Sequence, residues 1–82
     1  MDHMDMDYEN LLMEASLKTE ELSPNTTFTL RSLYVGTFWN DLKKGFRLEL
    51  GRRFKQAVIT NMVPHVIYIG KADNNASLYQ KQ

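Results

Sequence analysis

Four apolar residues spaced four apart, Phe46, Leu50, Phe54 and Val58, with Ala57 beside them, constrain this chain more than any other feature of it. That spacing lines one face of a helix over residues 46–59 and leaves Arg47, Arg52, Lys55 and Gln56 on its other faces. Asn61 supplies a C-terminal stop, and Pro64 prevents any continuation. Gly51 interrupts the run at a cost of ~1 kcal/mol relative to alanine, which predicts close approach by a neighbouring element or a local break. A chain of 82 residues can fill only one core, so the stripe must face it.

The remaining segments arrange themselves around this helix. After Pro64, His65, Ile67 and Ile69 alternate with Val66 and Tyr68. Residues 76–80 form a second short strand, and the turn-rich Gly70 to Asn75 joins the two as a β-hairpin. Upstream, Thr26 to Leu30 is β-branched and aromatic and reads as a strand, while Thr29 can instead cap a short helix made by Arg31 to Tyr34. Gly36 ends that element, and Phe38 to Leu42 makes a further short turn. Tyr8, Leu11, Leu12 and Ala15 follow helical spacing over about residues 7–20, with Asp5 or Asp7 as its cap, until Ser23-Pro24-Asn25 breaks it. The expected organisation is an acidic N-terminal helical segment (1–22) and an α+β, small winged-helix-like domain (23–82). Its order is short strand, helix-turn-helix, C-terminal β-hairpin. Trp39, Leu33, Leu50 and Phe54 are the expected core centre. Phe28, Phe38 and Phe46 read as core rather than base-stacking residues, and Tyr68 and Tyr79 as core or surface.

Composition narrows the setting. The apolar fraction is 43 %, there are nine aromatic residues, and there is no cysteine, so disulfides and thiolate metal sites are impossible. An intracellular, cytoplasmic location is expected, because the N-terminus is acidic and lacks a secretory apolar run. No stretch reaches the ~18 apolar residues of a membrane helix. The sequons at Asn25 and Asn75 accordingly read as turn residues.

The net charge of zero divides unevenly. Residues 1–22 carry seven acids against one lysine, a net −6, and residues 23–82 carry nine bases against three acids, a net +6. This is the asymmetry of an anion-binding body with an acidic appendage, or of two solvated faces.

The string Phe28-Thr29-Leu30-Arg31-Ser32-Leu33, then Trp39, Arg47-x-x-Leu50-Gly51-x-x-Phe54-x-x-x-Val58, Gly70-Lys71 and Tyr79 resembles a family of very small proteins of Gram-positive bacteria and their mobile elements, classed as a domain of unknown function. The resemblance covers about residues 26–82. It implies one compact domain of bacterial or phage origin and supplies no activity. Residues 72–77 depart from the family's usual turn.

No phosphate loop, nucleophile elbow, zinc-protease motif or paired cysteine is present, so no enzyme activity and no cofactor are expected. His3 with Asp2 and Asp5 reads as an acidic terminus rather than a metal site, and His65 as a structural histidine. The candidate nucleic-acid-binding residues are Lys44, Arg47, Arg52, Lys55, Gln56 and Lys71. Arginine and glutamine can read guanine and adenine edges, and lysine neutralises phosphates. The leading expectation is a non-enzymatic binder of double-stranded DNA, a regulator or accessory factor of a bacterial mobile element. The near-neutral pI of 6.7 favours the alternative, a protein-interaction module without nucleic-acid binding. The apolar stripe of the N-terminal helix can dock on the body or pair two chains, which leaves monomer and homodimer open.

Overall fold

A computed structural model describes the backbone of residues 3–82 and the side chains from Asp7 onward. Its elements are α1 (His3–Thr19), β1 (Thr27–Phe28), a 3-10 turn (Leu30–Leu33), α2 (Phe38–Asp41), α3 (Lys44–Ile59), β2 (Val66–Lys71) and β3 (Ser77–Lys81). The three strands form one antiparallel sheet in the order β1-β3-β2, so β3 is the central strand and pairs with both others. This is the α+β, winged-helix-like arrangement that the order of segments predicted. The Asp2/His3/Asp5 group lies outside the described side chains.

Helix α3 ends as its sequence demands. Asn61 takes the left-handed conformation (φ 63°). Its N–H donates to the Val58 carbonyl (3.1 Å) and the Met62 N–H to the Ala57 carbonyl (2.8 Å), the paired bonds of a Schellman stop. Asn25 (φ 73°) and Asn75 (φ 68°) are left-handed too, so both sequon asparagines are indeed turn residues. The alternation in β2 resolves with Val66 and Tyr68 inward and Ile67 and Ile69 outward. The strand is irregular between Tyr68 and Gly70, where one extra residue bulges it.

The core centres on Leu50, Phe54 and Tyr79, with Leu33, Val58, Val66, Phe28, Tyr8 and Ala15 around them. Tyr79 is only 1 % exposed. Its ring meets Phe54 edge-on at 4.9 Å and Phe28 at 5.8 Å, and Tyr68 is its cross-strand partner. Helix α1 contributes to the same core. Tyr8 stacks on Phe46 at 4.4 Å, and the Tyr34 hydroxyl donates to the Leu11 carbonyl at 2.8 Å. The end of α1 is clamped by Lys81, whose ammonium, buried at 8 % residue exposure, donates to the Thr19 carbonyl at 2.7 Å.

Several expectations are corrected. Helix α1 is already under way at His3, so Asp7 lies within it rather than capping it. The strand expected over residues 26–30 keeps only Thr27 and Phe28, because Thr29 opens the 3-10 turn. There the Ser32 hydroxyl donates to the Thr29 carbonyl (2.6 Å) and accepts from its N–H (3.3 Å), a local closure that competes with the ladder. Trp39 is not central. It stacks on Tyr34 at the core's margin (5.8 Å), and Phe38 beside it is 41 % exposed, because α2 is a single turn too short to bury a face. Gly51 marks neither a break nor a close approach, since α3 runs through it and a Cβ built there meets nothing within 4 Å.

Candidate functional site

The element order sets the hairpin alongside one flank of α3, and the space between them is a groove of about 590 Å³. Lys44, Arg47, Leu48, Gly51, Arg52 and Lys55 of α3 form one wall. Lys71 and the loop over residues 74–77 line it from the hairpin, and Arg31 and Trp39 line it too. Tyr79 and Leu30 lie at the bottom. Spacings of three and four put the α3 residues on one face, rotated away from the apolar stripe that faces the core.

Six cations therefore line one groove: Arg31, Lys44, Arg47, Arg52, Lys55 and Lys71. No carboxylate among the described residues lines it. Five of the six sequence-predicted residues meet here. Gln56 does not. It lines the neighbouring surface of α3 with Glu49, Arg53 and Ile59, a surface that Arg52 and Lys55 border as well. Arg31 is legible only in the fold, because a lone arginine in a short apolar turn carries no periodic signal.

The cations are held differently. The Lys55 ammonium lies 4.3 Å from the centre of the Tyr68 ring, a cation–π contact that aims a flexible side chain. Arg52 is anchored to Glu49 at 2.9 Å, and Glu49's second oxygen accepts from the Arg53 Nε at 2.9 Å. The hydrogen bond from Arg53, with the charges of Arg52 and Arg53, holds the Glu49 carboxyl below the usual carboxylate range despite some desolvation. Glu49 thus neutralises part of the charge at one groove edge. Arg53 also stacks over Tyr8 at 4.2 Å, which ties it to the α1 side of the helix rather than to the groove.

Among the described residues, no group of His, Asp and Glu is arranged to hold a metal ion, and no helix is long and apolar enough to cross a membrane. His65 is exposed and left-handed (φ 60°) at the start of β2. Its backbone carbonyl accepts from the Gln82 N–H at 2.7 Å, so its described role is in the backbone. What the groove offers is a concave, positively charged surface that also carries the rings of Trp39 and Tyr79. That chemistry suits a polyanion.

No curated protein is similar to the chain in sequence. In fold it is similar to a solved structure described as "SCCmec type IV LP1413 - nucleic acids binding protein", with a TM-score of 0.67 and 24 % identity over 93 % of this chain and 94 % of that one. The family model described as "Domain of unknown function (DUF1413)" matches residues 13–81, taking in part of α1, both walls of the groove and the whole sheet, and the chain belongs to that family.

Proposed function

We propose that this protein is a non-enzymatic, cytoplasmic nucleic-acid-binding protein, a regulator or accessory factor of a bacterial mobile element. The observation that carries the reading is the clustering of six cations, without a carboxylate among the described residues, on a single groove beside α3 in a chain whose net charge is zero. Scattered solvating charges would not produce a one-signed concave surface. The description of the structural neighbour as an SCCmec type IV nucleic-acid-binding protein points the same way. In this reading Lys44, Lys55 and Lys71 neutralise phosphates, Arg31, Arg47 and Arg52 bind them in forks, and Gln56 contacts nucleic acid only from the outer flank of α3.

The test is a fluorescence titration of labelled duplex and single-stranded oligonucleotides across a salt series. Binding should weaken linearly in log–log form, each phosphate contact adding roughly 0.7–0.9 to the slope. Arg47→Gln should flatten that slope by about one contact. Absence of binding to either strand form at low salt rejects the proposal.

A further inference from the structure

We propose that Gly51 is bare because the ligand, and not the protein, occupies the space its side chain would fill: a phosphodiester backbone lies directly against α3 at Gly51, with a phosphate between Arg47 and Lys55. The inference rests on the nucleic-acid reading of the groove and names the point of closest contact within it.

A glycine inside a regular helix needs a reason, because it weakens the helix relative to alanine. The usual reasons are absent. α3 passes through residue 51 without interruption, and the glycine is not among the left-handed residues. Nothing within 4 Å would obstruct a Cβ, so no neighbouring element needs the room. What is left is position. Gly51 lies on the groove wall, with Arg47 one turn before it and Lys55 one turn after it. Residues four apart on a helix face stand roughly 5–6 Å apart at Cβ, so two cations flank a bare patch of helix backbone the size of a small anionic group. With a side chain at residue 51, the anion would be held off the helix. Without one, both cations reach it together.

The two roles of this position predict effects of opposite sign. Gly51→Ala and Gly51→Gln replace a poor helix former by better ones in open space, so each should melt higher than the wild type, by about 4–8 °C for alanine. Each should also bind a fluorescein-labelled oligonucleotide more weakly, by at least about threefold for alanine and about tenfold or more for glutamine. The salt slope should fall by no more than about one contact in either, because a single phosphate is held off and no cation has been removed. A variant that melts higher and binds as tightly as the wild type overturns the inference and leaves the nucleic-acid reading intact. A lower melting temperature, or weaker binding with a slope that falls by more than about one contact, also overturns it, since the glycine would then serve the helix or the whole charge array. If the wild type binds neither strand form, the reading of the groove itself fails.

Discussion

Replacing Lys81 by methionine should loosen the protein at the junction of α1 and β3. The methionine keeps the apolar stem of the side chain and removes only the ammonium, so packing is largely conserved. What is lost is a charge-assisted hydrogen bond to the Thr19 carbonyl at 2.7 Å, worth about 1.5–3 kcal/mol, together with about 0.3–1 kcal/mol from a cation at a helix C-terminus. Two terms offset this. The Thr19 carbonyl keeps a second donor, the Leu22 N–H at 3.2 Å, so it is not orphaned. The variant also avoids the desolvation of a buried ammonium, which in real proteins costs several kcal/mol when complete. We set the balance at about 1–2 kcal/mol in favour of the lysine, a fall in melting temperature of roughly 4–16 °C for a domain of this size. Thermal melting by circular dichroism measures it, and amide exchange should show the C-terminal turn of α1 losing protection first. An unchanged or higher melting temperature would refute the reasoning, because it would mean that desolvation cancels the bond.

Deletion of residues 1–22 should abolish cooperative unfolding rather than release a passive tail, since it strips Tyr8 and Ala15 from the core and the acceptor from Lys81; a truncated chain that melts like the full one would contradict this. Glu49→Gln should bind oligonucleotides a few-fold more tightly at low salt, and the gain should fade as salt rises, because the substitution frees Arg52 at the groove edge; titrations at two salt concentrations measure it. Burial pushes the Tyr79 phenol up to about 12 from an ordinary value near 10, and Tyr34 is raised further, also chiefly by burial. Both favour the neutral form in the folded state, so their contribution is intact below about pH 10 and is lost as pH rises through 12. Denaturant titrations at pH 8, 10 and 11.5 should show stability falling only in the last interval, and Tyr79→Phe should reduce that fall.

The parts of the fold legible in the sequence were those whose cause is local. The stripe Phe46, Leu50, Phe54, Val58 reports its own helix, and Asn61 and Pro64 report its end, because periodicity and backbone preference act within a few residues. The hairpin was legible for the same reason. What depends on tertiary placement was not. Trp39 looked central because a large ring usually is, yet α2 holds it at the margin. The basic flank of α3 is visible as a flank, but which part of it the hairpin walls in is not: Gln56 shares a neighbouring surface with Arg52 and Lys55 without lining the groove, and Arg31 carries no signal at all. Gly51 points in the sequence to a close neighbouring element or a local break, and α3 runs through it unbroken. Only the arrangement of the other elements shows that nothing within the chain comes close to it.

The central position of β3 bears on when this protein becomes a protein during its synthesis. Among the described residues neither β1 nor β2 has any other strand to pair with, and the clamp on α1 is residue 81, sixty-two positions beyond its acceptor. A nascent chain that has emerged only as far as the hairpin loop therefore carries helices but no sheet, and its cations lack the wall that makes them a groove. Contacts so distant along the chain close last. A ribosome still translating this message holds a chain on which the cation-lined groove has not yet been assembled.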